Sequence, residues 1–292
     1  MGKIIRTISS DGLVMATAVD ATDIVAAAEQ IHQTSAVNTA ALGRLLTAAA
    51  LMGNLLKGKR DSLTLRVDGN GPTGLLVAAA NSSGDVRGYV ENPVVELPLN
   101  PAGKLDVGGA VGRTGNLYVL KDLGLKEPYN GCVPLVSGEI AEDITSYYAV
   151  SEQIPTVCAL GVLVNPNLSV SCAGGFIIQL LPAAGEDTAA LVESQVQGLP
   201  PVTALLKQGL TPLQILNRAL PKLQLELLEE HESAYRCTCS RGRFEKALRS
   251  LGKKELEAMA AELPQAEIDC RFCNKHYIFT KAELKALSQK EV

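Results

Sequence analysis

Apolar and polar positions alternate over residues 4–8 and again over 13–18, and the two runs flank Ser10-Asp11-Gly12, which together predict a β-hairpin. From residue 23 the period lengthens to that of a helix. Residues 23–33 carry one helical repeat and residues 39–56 a second, longer one that stops before Lys57-Gly58. Alternation returns at 63–67, 75–80 and 86–90, separated by the turn residues Asp68-Gly69-Asn70-Gly71-Pro72 and Asn81-Ser82-Ser83-Gly84-Asp85, the pattern of a meander. A helix is expected near 139–152. Strands follow at 159–164 and 169–181 around Asn165-Pro166-Asn167, the second interrupted by Gly174-Gly175. Residues 1–182 are therefore predicted to form an α+β core domain, a mixed α/β body with an antiparallel sheet.

Beyond residue 182 the pattern changes twice. Residues 183–232 carry connector punctuation (Gly198-Leu199-Pro200-Pro201, Gly209, Pro212, Pro221), yet they are rich in aliphatic side chains, among them Leu205, Leu206, Leu213, Ile215, Leu216 and Leu220. Thr211-Pro212-Leu213-Gln214 has the form of a helix start, with a capping threonine, proline in the first turn and glutamine at the capping-box position. Short helices broken by proline and glycine are individually marginal in water, so this segment is expected to be a metastable helical linker that leans on other parts of the chain. Residues 233–292 read as a separate small module. Ser240 can cap a helix with Phe244, Ala247, Leu248 and Leu251 on one face, a second helix runs over 253–263, two short strands are expected at 268–272 and 277–279, and Thr280-Lys281-Ala282-Glu283 is a capping box.

Sixty residues with so few large apolar side chains need a staple, and the module carries one. Cys237-Thr238-Cys239 and Cys270-Arg271-Phe272-Cys273 form two close pairs separated by thirty residues. Tetrahedral zinc takes four thiolates at about 2.3 Å, which sets neighbouring sulfurs about 3.8 Å apart, and two close pairs brought together by folding meet that requirement. The expected cofactor is one Zn2+ per chain in the reduced form, bound by Cys237, Cys239, Cys270 and Cys273. The same closeness leaves each sulfur near enough to others for disulfide formation once a metal departs, and four cysteines allow three connectivities. Arg236, Arg241, Arg243, Lys246, Arg271 and Lys275 lie within a few residues of a thiolate, either as charge compensation or as a solvated face.

Charge is distributed unevenly. The whole chain carries 27 Lys and Arg against 31 Asp and Glu. Residues 233–292 hold twelve basic and eight acidic side chains, so a module of +4 follows a body of −8. Electrostatic docking of the module on the body is one account of this asymmetry and nucleic-acid binding another. The pI near 5.5 and the 4% content of aromatic residues weigh against the second. No secretory signal pattern opens the chain, and the longest apolar stretch contains Arg44, Thr47 and Asn54, so a cytoplasmic protein without a membrane partner is expected. Cys132, Cys158 and Cys172 are scattered singly in apolar surroundings and are expected to be buried.

No catalytic constellation is visible. There is no G-x-S-x-G elbow, His32, His231 and His276 stand far apart, and Gly69, Gly71 and Gly74 are followed by no Gly-Lys-Ser/Thr, so they are expected to serve turns rather than phosphate. The protein is not expected to be an enzyme. The alternatives carried with the zinc assignment are a zinc-ribbon nucleic-acid binder and a thiol oxidoreductase using Cys270 and Cys273 as a C-x-x-C pair.

Cys237-Thr238-Cys239-Ser240-Arg241 and Cys270-Arg271-Phe272-Cys273, with Tyr277 following, resemble the zinc module of the redox-regulated chaperones of the 33-kDa heat-shock family. Ala40-Ala41-Leu42-Gly43-Arg44, Lys121-Asp122-Leu123-Gly124, Ser151-Glu152-Gln153 and Ala173-Gly174-Gly175-Phe176 extend the resemblance through the body. Gly242 departs from it, standing where the family usually has an acidic residue. The resemblance implies an ATP-independent holdase, inactive when reduced and zinc-bound. It further implies that hypochlorite, or peroxide with heat, forms the redox disulfides Cys237–Cys239 and Cys270–Cys273, expels zinc, unfolds the module and releases the linker. The implied partners are unfolded client proteins and, when oxidised, a second copy of the chain.

Overall fold

The structure, a computed structural model, describes residues 2–289. The chain forms two compact units that divide between Arg236 and Cys237. The first begins with the expected hairpin, β1 (Gly2–Ser9) and β2 (Val14–Asp20). Its turn is fastened by Asp11, whose carboxylate accepts from the Leu13 N–H at 3.0 Å, and by Gly12 at φ 71°. Helices α1 (Thr22–His32) and α2 (Ala36–Asn54) follow, then β3 (Ser62–Asp68), β4 (Leu76–Asn81) and β5 (Val86–Val90). Asn81 makes the β4–β5 turn by accepting from the N–H groups of Ser83 and Asp85, both at 3.0 Å. A short α3 (Val107–Val111), β6 (Asn116–Asp122), β7 (Tyr129–Pro134) and α4 (Ala141–Tyr147), which runs on as a π-turn to Glu152, lead to β8 (Thr156–Val164) and β9 (Val170–Leu180).

The connector then contributes α5 (Glu186–Val196), α6 (Val202–Lys207) and α7 (Pro212–Ala219), followed by a strand absent from the sequence prediction, β10 (Leu225–Ser233). The Thr211 capping box is present as expected: Gln214 N–H donates to the Thr211 hydroxyl and Thr211 N–H to the Gln214 side chain.

Two antiparallel five-stranded sheets organise this unit, in the orders β10-β1-β2-β9-β8 and β5-β4-β3-β6-β7. Helix α2 is buried nearly throughout because its small side chains, Ala40, Ala41, Ala48, Ala49 and Ala50, let both sheets approach closely. By length and composition it is apolar enough to cross a membrane, but here 89% of it is covered by its own fold. The first sheet is covered on both faces. Ile4, Val19, Ala173 and Ile177 face the core shared with α1 and α2. Ile5, Val14, Ala16, Ala18, Phe176 and Ile178 face a second cluster that Val192, Val202, Leu205, Ile215, Leu216, Ala219 and Leu220 of the connector complete. Amphipathic connector helices thus gain their stability by packing on a sheet face.

Gly69 and Gly71 hold no phosphate loop. A Cβ at either would lie 2.3 Å from a carbonyl oxygen of Val111 or Ala110, so glycine is required where this turn packs against α3. Cys158 and Cys172 are largely covered, as expected, but Cys132 is exposed: on edge strand β7 it alternates with buried Gly131 and Val133 and faces outward.

The second unit contains α8 (Arg241–Ser250), α9 (Lys253–Glu262), the hairpin β11 (Gln265–Asp269) and β12 (His276–Thr280), and α10 (Lys281–Ser288). Among the described residues its apolar core comprises seven buried side chains: Leu248, Leu256, Ala260, Ala266, Phe279, Leu284 and Leu287.

Candidate metal and redox centre

Each cysteine pair is presented by a local device. Cys237 and Cys239 stand in extended chain just before α8, whose start is fixed by Ser240 accepting from the Arg243 N–H, while Arg243 reaches back to the Thr238 hydroxyl at 2.6 Å. Cys270 and Cys273 occupy the knuckle that joins β11 to β12. There the N–H groups of Cys273 and Asn274 both donate to the Cys270 carbonyl, Asn274 takes a left-handed φ of 55°, and the Cys270 N–H donates to Lys275. The strand pair Asp269 and His276 closes the knuckle from below.

Packing brings the four sulfurs together so that all lie within 4.8 Å of one another. Cys237 and Cys270 are 3.6 Å apart, Cys239 and Cys273 3.4 Å. These separations approach the roughly 3.8 Å edge of a tetrahedral thiolate site, and the donor set is uniformly soft, so the residues fit a metal ion. Both of these contacts join the halves rather than the neighbours within each motif. Proximity alone therefore does not select the disulfide pairing.

Arg241 fastens the halves around the centre. Its guanidinium donates to the Ile278 carbonyl at 2.8 Å and to Glu283 at 2.6 Å, and lies 4.3 Å from the centroid of the Phe279 ring. Arg236 is likewise paired to Asp85 and Arg243 to Thr238.

No motif in the chain points to a chemical role for Tyr277, which follows the second pair on β12. Its hydroxyl lies 3.1 Å from Cys239 Sγ, its ring packs on Phe244 at 4.7 Å, and in the ladder it stands opposite Ile268. One side chain thereby ties the helix that follows the first pair to the strand that follows the second. Electrostatics distinguish the four thiols. Burial raises the Cys237 thiol, and burial with proton sharing among the cluster pushes Cys273 up to about 12. Burial also opposes ionisation of Cys239, but hydrogen bonds from Tyr277 and the other thiols outweigh it and bring Cys239 down to about 7. Donation to Cys239 holds the Tyr277 hydroxyl up, at about 12. Cys158 and Cys172 are pushed up by burial and stay protonated.

A second feature escaped sequence reasoning because the groups that accept its hydrogen bonds are backbone carbonyls. Residues 233–236, immediately before Cys237, form a clasp on the turn and edge at 84–88. The N–H of Val86 donates to Ala234 and that of Arg236 to Val86, at 2.9 and 2.7 Å. The hydroxyls of Ser233 and Tyr235 donate to the Gly84 and Gly88 carbonyls at 2.6 and 2.7 Å, and His32 Nε2 joins the same Gly88 carbonyl at 2.9 Å.

The chain matches the family model described as Hsp33 protein over residues 2–280. It is 48% identical to the 33 kDa chaperonin of Acetivibrio thermocellus over 97% of this chain and 96% of that one, and 46% identical to that of Bacillus cytotoxicus over 97% of each. The crystal structure of the 33 kDa chaperonin from Thermotoga maritima superposes with a TM-score of 0.89 at 41% identity, covering 98% of this chain and 97% of the other.

Proposed function

The chain belongs to the Hsp33 family, and on that premise we propose that it is a cytoplasmic, ATP-independent chaperone whose holding activity is switched by the oxidation state of Cys237, Cys239, Cys270 and Cys273. The observation that carries this reading is the adjacency of two structures. A gathered tetrathiol centre begins four residues after β10, and the connector before β10 covers an apolar sheet face.

In the reduced protein the four thiolates would hold zinc, which when bound would supply the cross-link between the two halves of a module too poor in core to persist without it. Metal binding at such sites is worth on the order of 10–16 kcal/mol. Tyr277 and Arg241 orient the two halves. Oxidation consumes the ligands pairwise: two thiolates and one hypochlorous acid give one disulfide, chloride and hydroxide. Pairing of Cys237 with Cys239 and of Cys270 with Cys273 leaves the halves unlinked, whereas either alternative pairing keeps them joined. We therefore assign the disulfides within the motifs, because only that pairing lets the module unfold.

Loss of the module passes to the connector through residues 234–236, the clasp next to Cys237. Residues 1–182 then remain as the folded core, and residues 183–232 act as the switching linker. Short α6 and α7 detach, and Ala16, Ala18, Phe176 and Ile178 become available to apolar segments of unfolding clients. Two oxidised chains with this face open can also associate with each other.

The test is a client-aggregation assay on reduced and oxidised protein with zinc release and peptide mapping in parallel. The expected result is suppression of aggregation only after oxidation, with about one zinc released per chain and disulfides within the motifs. Equal suppression by the reduced, metal-loaded protein contradicts the proposal.

A further inference from the structure

Strand β10 is held on the first sheet mainly by backbone pairing, with side-chain anchors confined to Leu225 at one end, which packs on the second cluster, and to His231 and Ser233 at the other, which bond the Ser83 and Gly84 carbonyls at 2.8 and 2.6 Å. Of its nine residues only Ser233 is buried, and Leu227 and Leu228 are 46% and 51% exposed. Its ladder with β1 runs from Gly2 opposite Ser233 to Ser9 opposite Leu225, broken by a bulge that leaves Leu228 without a partner. Ion pairs from Lys3 to Glu230 and from Arg6 to Glu229 add little at such exposure.

The neighbouring strand is anchored quite differently. β1 pairs with β2 on its other side, sends Ile4 into one core and Ile5 into the other, and buries Thr7 and Ser9. The sheet can therefore lose β10 and keep β1. What remains is an eight-residue edge with a row of unpaired N–H and C=O groups, a template for another strand.

Its charge is also defined. β10 carries Glu226, Glu229, Glu230 and Glu232. Beside it stand Lys3 and Arg6, and Lys57 and Lys59 share with Glu229 and Glu232 the lining of a cleft that also includes Arg6. When the four glutamates withdraw, the vacated edge is left cationic.

We propose that in the activated protein β1 binds client directly, by adding an extended, neutral or acidic segment of an unfolded polypeptide as a strand in the place of β10. The inference rests on the proposed release of the connector and deepens it. The sheet face takes apolar side chains, whereas the edge takes main chain, independent of sequence apart from charge. β10 is thus an internal occupant of a client site.

The experiment uses the full-length oxidised protein with reduced, carboxymethylated α-lactalbumin, a permanently unfolded acidic chain, as client. Hydrogen exchange is followed at the β1 amides, with holding activity measured on the same samples. Oxidation should speed exchange of β1 and β10 at least tenfold, and client should restore protection to β1 but not to β10. A synthetic peptide of residues 225–233 should displace the client from β1. The same peptide N-methylated at alternate residues should not, and one with its four glutamates replaced by lysine should compete several-fold less well. The Lys3→Glu protein should bind this client several-fold more weakly while retaining its reduced fold. Client bound and active with β1 still unprotected, or equal competition by the N-methylated peptide, overturns strand addition and leaves the chaperone reading standing. Absence of both activity and β10 release on oxidation overturns the two together.

Discussion

The first unit packs Leu45, Leu46, Leu51, Leu63 and Leu65, all at most 1% exposed, into a core shared by two sheets and four helices, whereas the second closes over seven buried side chains, two of them alanines. Burial of a leucine is worth about 1.5–3 kcal/mol, so the first unit needs no other support, while the second must also offset the ordering of more than fifty residues. A metal-sized gathering of thiols lies in the unit that needs it. On the proposed function, oxidation of those thiols dismantles one unit and leaves the core of the other folded. The connector stands between these regimes: it belongs structurally to the first unit, but α6 and α7 are six and eight residues long and depend on a single face.

The harshest way to break this contrast is to remove one thiol. Cys270→Ser should release zinc and unfold the second unit, a loss on the scale of 10 kcal/mol in site stability, and loosen the connector with it, while residues 1–182 keep a cooperative unfolding transition of their own. Two calorimetric transitions in the reduced wild-type protein that become one in the variant are expected. Cys132→Ser should change neither zinc content nor transitions.

A smaller effect is expected from weakening the connector without touching the centre. Leu216 is fully buried on α7, and Leu216→Ala should cost about 2–5 kcal/mol, enough to open the connector in the reduced, zinc-loaded protein and raise its suppression of client aggregation. Leu213 is only partly buried in the same cluster, so a change there should do less.

Within the second unit, Tyr277→Phe removes a hydrogen bond to a sulfur, of the class worth about 1.5–3 kcal/mol to a charged acceptor. Zinc should leave faster under oxidant. In the cobalt-substituted protein the sulfur-to-metal charge-transfer band should move to lower energy, a shift that loss of ring packing alone does not produce.

The smallest effect has the opposite sign. Gly242 lies in the first turn of α8 with open space around the position of a Cβ. Gly242→Glu should stabilise the second unit by about 1 kcal/mol, through helix propensity and a negative charge near the helix start, and delay zinc release accordingly.

Much of this architecture was readable from the chain. Alternation marked β1 to β5, and Thr211, Ser240 and Thr280 announced helix starts that the structure reproduces with bonded caps. The cysteine spacing anticipated a cluster that folding assembles. What escaped was held together by backbone or by distant partners. Strand β10 has four glutamates and no clean alternation, because an edge strand with exposed faces needs none. The clasp at residues 233–236 depends on carbonyls of Gly84 and Gly88, which carry no side-chain signal. Strands β6 and β7 lack a clean alternation because their outward positions are not uniformly polar: Leu120 and Cys132 are exposed. Cys132 was expected to be buried for the same reason, since apolar neighbours do not reveal which side of an edge strand a residue faces.

Hydrogen exchange along the connector, before and after oxidation, tests the central claim most directly when zinc release and client protection are measured in the same samples. Slow exchange is predicted over α6, α7 and β10 in the reduced protein, with fast exchange there and in the second unit after oxidation, while α2 and β3 remain protected. If the connector keeps its protection after oxidation while holding activity rises, the switch lies elsewhere and this account is wrong.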